Sequence, residues 1–320
     1  MKKVFVNQLR AGQSIDDCFV LAAKSLSHKR DGNPYLNLVL SDRSGSVKGV
    51  AWDNVDQMTA AAAGDVVFVR GDVGAYRGEL QVVIKSLSQQ PSEHIDPTDF
   101  LPVTDKDVEG MFQRLTAITR RFQDPHLKAL FELFWQDSSF VKQFKSAPAA
   151  KKMHHAYVGG LLEHTLSMVV LAGRIIGHYS GLDGDLVVAG AILHDIGKTR
   201  ELDYALSFDY SDEGRLLSHI VIGLQILDEK IKDLENFPKP KADLLRHMIV
   251  SHHGSRELGS PEPPKTIEAV LLHYIDEIDS RVNAIREFIS RDDGSETWSA
   301  YHRLLERHFY KGQSKSVESQ

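Results

Sequence analysis

The sequence predicts a multidomain chain of β plus all-α class: a five-stranded β-barrel over residues 1–90, then an all-helical domain over residues 108–312. Three observations predict it. Between Asp17 and Gln89, short apolar runs alternate with turn signals. The stretch from Gln89 to Asp107, "QQPSEHIDPTDFLPVTDKD", is rich in proline and acids and has no apolar period. Beyond it, apolar residues recur at helical spacing almost everywhere.

The strands are read at "CFVLAAKSLSHK", "PYLNLVLSD", "GSVKGVAWD", "DVVFVRGDVGAY" and "GELQVVIKSL", with turns at "RDGNP", "DRSG" and "YRG". Between the third and fourth strands, the Ala-rich "NVDQMTAAAAG", ended by Gly64, is read as one short helix. Three strands, a helix and two more strands is the order of an OB-fold barrel. Residues 91–107 are read as the linker. Helices follow at "VEGMFQRLTAITRRF", "PHLKALFELFWQD", "GGLLEHTLSMVVLAGRIIGHY", "GDLVVAGAILHDIGK", "HIVIGLQILDEKI", "KADLLRHMIVSHHG" and "KTIEAVLLHYIDEIDSRVNAIREFI". The polar tail 313–320 is expected to fray.

Composition narrows the chemistry. The 320 residues are 42% hydrophobic and 26% charged, a globular rather than a disordered balance. Cys18 is the only cysteine, so a disulfide framework and a cysteine zinc site are both excluded, and a reducing cytoplasm is expected. Any metal must sit on His, Asp or Glu. The N-terminus breaks into polar residues too early for a signal peptide, and no apolar run is read as long enough to span a membrane, so no membrane partner is expected. A net charge of −6 argues against bulk attraction to nucleic acid and leaves room only for a local site. Most of the 15 histidines fall after Lys151, several in pairs or beside acids. Such clustering points to a metal centre.

The candidate ligands are His164 in "LLEHTLSM", His194 and Asp195 in "LHDIGK", His219 in "LLSHIVIG", His252 and His253 in "SHHG", and Asp276 in "LHYIDEID". Each lies in or at the end of an amphipathic helix, and a bundle can bring such residues together. Two neighbours cannot share one face of a continuing helix, being about 100° apart. His194 and Asp195 can reach one metal if the helix ends there, which Gly197 is read as permitting. Asp195 and Asp276 sit among Ile, Leu and Val, where a carboxylate needs compensation by a cation or by hydrogen bonds.

The ordered set His164, His194-Asp195 and Asp276 resembles the H…HD…D pattern of the HD superfamily of metal-dependent phosphohydrolases. His219 and the pair His252-His253 resemble the added ligands of members with two metals. A barrel of OB type ahead of such a domain, with "GGLLEHTLS", "LHDIGK" and "SHHG", is similar to the YhaM-type bacterial 3′-to-5′ exoribonucleases over nearly the whole chain. The resemblance implies hydrolysis of single-stranded RNA from the 3′ end to nucleoside 5′-monophosphates, with single-stranded DNA as a second substrate. Chemistry agrees, because phosphodiester hydrolysis needs an activated water and cations on the phosphoryl oxygens. Asp195 is the candidate bridge between two metals. His164, His194 and Asp276 complete one site, and His219 with one or both of His252 and His253 the other. The donors suit manganese and admit iron, zinc, cobalt or nickel; the resemblance implies manganese.

Asp195, His194 and Lys198 are therefore the expected catalytic residues, with Lys198 either on a substrate phosphate or as a charge at a helix end. His154 and His155 are expected to reach substrate from a loop. On the barrel, Tyr35, Trp52 and Tyr76 with Lys29, Arg30, Lys48 and Arg77 are the set available for stacking and phosphate contact. Of these, Tyr76 is read as reaching solvent and Trp52 as packing under the barrel. Two other functions compete: a phosphodiesterase of small nucleotides, such as cyclic dinucleotides or nucleoside triphosphates, and a nucleic-acid-binding protein without catalysis. A small substrate would not need the barrel. The "GYP" signature of cyclic dinucleotide enzymes is replaced after His253 by "GSRELGSP". A homo-oligomer is admitted, without a sequence feature that fixes its order.

Overall fold

The computed structural model describes residues 2–29, 31–90, 96–151, 155–204, 208–290, 292, 294 and 296–312. Arg30, His154 and the tail 313–320 lie outside the described residues. The chain divides into two compact units, Met1–Asp105 with Asp203–Asp209, and Lys106–Leu202 with Tyr210–Gln320.

In the first unit five strands close a barrel in the order β1-β2-β3-β5-β4. They are β1 (Ser14–His28), β2 (Pro34–Asp42), β3 (Gly45–Ala51), β4 (Val66–Tyr76) and β5 (Glu79–Gln89). Closure rests on the length of β1, which pairs with β4 over Ser14–Val20 and with β2 over Val20–His28, bulging between Leu21 and Ala23. The remaining gap is closed by β3 and β5, which run parallel at Lys48–Val50. Alternate residues point inward, and Phe19, Leu21, Leu36, Leu40, Val67 and Val82 fill the core. This is the predicted order of elements, with one difference. The helix α1 covers only Val55–Met58. The alanine run after it stays irregular because its backbone is engaged elsewhere: Lys24 Nζ donates to Thr59 O and Ala61 O, Ala62 N–H to Asp65 Oδ2, and Gly64 N–H to Leu21 O.

The expected linker is partly packed. Phe100 is buried against Val20 and Val66, and Arg43 N–H donates to Asp99 O, so the barrel unit runs on to Asp105. An apolar residue in a proline-rich stretch carries no periodicity, so the packing of Phe100 leaves no mark in the sequence pattern.

The second unit is helical: α2 (Val108–Thr119), α3 (Pro125–Gln136), α4 (Ser138–Ser146), α5 (Gly160–Ile175), α6 (Gly184–Leu193), α7 (Lys198–Glu201), α8 (Asp212–Lys232), α9 (Lys239–Ser251) and α10 (Ile267–Ser290). Of these α7, a single turn, and α4 were not anticipated; α4 is set off by a cap. Asp137 caps its N-terminus, accepting from Ser139 N–H and Phe140 N–H, and so separates it from α3. From Leu186 to Leu193 every residue of α6 is buried, the mark of a central core helix, and it packs on α5, α9 and α10. Contrary to the sequence reading, one helical stretch, Gly160–His178, is long and apolar enough to cross a membrane by length and composition. More than half of its residues are buried within the unit, as in a core helix, and two of them are the polar Glu163 and His164.

Candidate metal centre

The predicted ligands converge from five helices of the second unit. His164 lies on α5, His194 caps α6, His219 lies on α8, His252 caps α9 and Asp276 lies on α10. Two clusters form. In one, His164 Nε2 is 3.3 Å from His194 Nε2 and 3.3 Å from Asp276 Oδ1. In the other, donor atoms of His219, His252 and His253 lie within 4.8 Å of one another. Asp195 stands between them. Its Oδ2 is 3.3 Å from His194 Nε2 and 3.9 Å from His164 Nε2, while its Oδ1 is 3.7 Å from both His219 Nε2 and His252 Nε2.

Four imidazoles turn Nε2 inward because Nδ1 is held from outside. His194 Nδ1 donates to Ala191 O at 3.0 Å and His252 Nδ1 to Ile249 O at 2.7 Å, each reaching back to a carbonyl of its own helix. Carboxylates hold the other two: Asp279 Oδ2 is 2.8 Å from His164 Nδ1, and Glu201 Oε1 is 3.0 Å from His219 Nδ1. A metal-binding imidazole is oriented in this way. Sequence reasoning missed both carboxylates. Asp279 was findable, since it stands three residues after Asp276 on the same helical face. Glu201 was not, because it and His219 lie on different helices, 18 residues apart in sequence, and share no period.

Ser218, directly before His219, has φ 60° and ψ 162°, and this break in α8 lets His219 N–H donate to Glu201 Oε1 at 2.8 Å. The chain after Asp195 is tight for a different reason than expected. Gly197 is in ordinary right-handed conformation, so it does not stop the helix through a left-handed turn. A Cβ there would lie 1.9 Å from His219 O and 2.7 Å from Gly223 N, so the glycine lets α8 approach. Gly254 has φ +84°, and a Cβ there would lie 2.3 Å from the ring of His273, whose Nδ1 donates to His252 O.

Charge is balanced closely. Burial would raise the Asp195 carboxyl, but Lys198 and His194 outweigh it and hold it well below the usual carboxylate range. Lys198 Nζ donates to Asp195 Oδ2 at 2.6 Å, and that contact raises the ammonium's pKa despite burial. For His164, burial is overcome by hydrogen bonds to Asp276 and Asp279, which push the imidazole up to about 9. Burial and the neighbouring His194 push His252 well below the ordinary value.

The donor set fits a divalent cation. Asp195 Oδ1, His219 Nε2, His252 Nε2 and His253 Nδ1 are buried without a hydrogen-bond partner among the described residues. Leaving such atoms unpaired is costly, and a shared cation would satisfy them together.

Elsewhere the expectations divide. His155, expected to reach substrate from a loop, is instead buried, with Nδ1 2.7 Å from Tyr157 Oη and Nε2 3.4 Å from Asp279 Oδ2, behind His164. A left-handed backbone at φ 56° turns it inward. On the barrel, Trp52 does not pack beneath the strands. It is 42% exposed, stacks on Tyr35 with ring centroids 4.9 Å apart, and carries Lys29 Nζ over its face at 5.4 Å. Tyr76 is exposed as expected, with the Arg77 guanidinium 5.3 Å from its ring centre. Lys48 is paired with Glu79 at 2.5 Å in the open.

Comparison with known proteins agrees with both units. Residues 161–281 match the HD domain family, and residues 19–89 match the family described as OB-fold nucleic acid binding domain. The 3′-5′ exoribonuclease YhaM of Bacillus subtilis (strain 168) is 34% identical over 305 residues, 94% of this chain and 95% of that protein. The YhaM of Geobacillus sp. (strain WCH70) is 32% identical over 308 residues, 96% of this chain and 94% of that protein. With whole-length similarity of this degree across both units, the chain belongs to the YhaM family of 3′-5′ exoribonucleases.

Proposed function

We propose that this protein is a metal-dependent 3′-5′ exoribonuclease acting on single-stranded RNA, with single-stranded DNA as a second substrate. The observation that carries the reading is Asp195, whose two oxygens face two separate imidazole clusters. Two manganese ions would suit this centre: His164, His194 and Asp276 would hold one and His219, His252 and His253 the other, with Asp195 within reach of both groups. Bound there, the cations would supply Lewis acidity to water and to the phosphoryl oxygens. The chain's own residues do the rest. Asp279 and Glu201 fix the tautomers of His164 and His219, and Lys198 keeps Asp195 ionised. Side chains of His164, His194 and His252 are almost fully buried while Asp276 keeps 19% exposure, so substrate is assigned an approach on the Asp276 side. Tyr35, Trp52 and Tyr76 are assigned to stacking on bases, and Lys29, Lys48 and Arg77 to phosphates. The lone cysteine supports work in a reducing cytoplasm.

The test uses purified full-length protein and a 5′-end-labelled RNA, with manganese or with chelator. Stepwise shortening from the 3′ end, mononucleotide product and loss of both with chelator are expected. Internal cuts, or undiminished hydrolysis in chelator, would overturn the reading.

A further inference from the structure

Away from the metal ligands, the helical unit carries a groove of about 590 Å³ between α2, α5 and α10. Arg114, Arg174 and Arg286 line it, one from each helix. All three are exposed, and among the described residues none has an ion pair or a side-chain hydrogen bond. Arg200, Arg246, Arg256 and Arg281 of the same unit each pair with a carboxylate, while Arg120, Arg121 and Arg303 do not among the described residues; what sets Arg114, Arg174 and Arg286 apart is that they line one groove. The groove's own carboxylates are engaged otherwise: Glu163 pairs with Lys106 at 2.7 Å, and Asp279 holds His164 and accepts from Ser167 Oγ. Between the guanidiniums the wall is apolar, built from Met111, Leu166, Val170 and Val282.

Three exposed guanidiniums lining one groove with an apolar wall make it a positive site, and guanidinium is the side chain best matched to phosphate oxygens. A ligand satisfying both features carries phosphate and a flat apolar body. The volume suits one such small molecule. We propose that this groove is a second site, separate from the metal centre, for a free nucleotide, with its phosphate among Arg114, Arg174 and Arg286 and its base on the apolar wall. Glu163 and Asp279 repel phosphate and so turn it toward the arginines. The choice of a nucleotide over another phosphate compound rests on the nuclease reading above. Because Asp279 also holds His164, the occupant touches a residue that orients the metal centre.

The test is calorimetric titration of AMP into the full-length chain carrying Asp195→Asn, which removes the shared carboxylate from the metal centre. The same titration is made with Arg114→Ser, Arg174→Ser and Arg286→Ser added, and with Arg174→Glu alone. The triple variant should weaken AMP at least about a hundredfold and Arg174→Glu about tenfold, the scale of lost charge-assisted hydrogen bonds. Equal AMP affinity in all three proteins overturns the proposal. A triple variant that loses affinity for a 12-nucleotide RNA but not for AMP also overturns it, and assigns the arginines to the polymer. Should the parent chain fail to degrade RNA while AMP binding still depends on the arginines, the nuclease reading falls and the groove stands.

Discussion

Asp195 holds Lys198 on one oxygen and turns the other, unpaired among the described residues, toward two imidazoles, so its replacement tests the centre most directly. Asp195→Asn should reduce RNA hydrolysis at least about a thousandfold, the scale of several kcal/mol of lost charge stabilisation, while filter binding of RNA stays within about threefold. Activity within a few-fold of the parent would remove Asp195 from the centre. Asp279→Asn should act more mildly, weakening manganese affinity about 10- to 100-fold by equilibrium dialysis, because it releases the orientation of His164 without removing a ligand. His164 also gives a pH signature. Its pKa in the folded chain, about 9, exceeds the ordinary 6.5, so the charged ring contributes stability fully below pH 6.5, and this is lost as pH rises through 9. In excess chelator, the melting temperature should therefore fall between pH 6.5 and 9, and Asp279→Asn should flatten that slope. An unchanged slope in the variant would mean that Asp279 does not hold the proton.

The loop joining α6 to α7 and the break in α8 meet at one close backbone approach, and Gly197 is where it is tightest. Gly197→Ala should destabilise the protein by about 2–4 kcal/mol and lower manganese binding as well, because the methyl group must push away the segment bearing His219. Thermal melts with and without manganese measure both; an alanine variant that melts and binds metal like the parent would show that α8 yields freely. Legibility in the sequence follows the same division. His164, His194, Asp195, His219, His252, His253 and Asp276 were readable because helical spacing puts each at an interior face or a helix end. The irregular joints were not: neither Ser218 nor Glu201 belongs to a period, and α4 hid behind α3 because a single Asp137 ends one helix and begins the next. Gly197 was readable as a glycine but misread as a stop, since close approach to a distant segment leaves no mark in local sequence.

Across the whole molecule the proposed function divides the work, with chemistry assigned to the helices and substrate retention to the barrel. Trp52→Ala combined with Tyr76→Ala should slow decay of a long RNA about 10- to 100-fold at limiting concentration, as two lost stacking platforms imply, yet leave hydrolysis of a short activated phosphodiester unchanged. Equal decay at limiting RNA would give the barrel another task. The strand order of that barrel was legible from alternation and turn residues; the exposure of Trp52 was not, because an aromatic just past a strand end fits either side of it. The donors of the centre are spread from His164 on α5 to Asp276 on α10, with Asp279 three residues further. On the ribosome, the barrel residues therefore emerge first and the last donors late, so a growing chain carries the whole barrel sequence before it holds every donor of the candidate metal centre. Under the proposed function, hydrolysis therefore waits for synthesis of α10, the last helix to supply a donor.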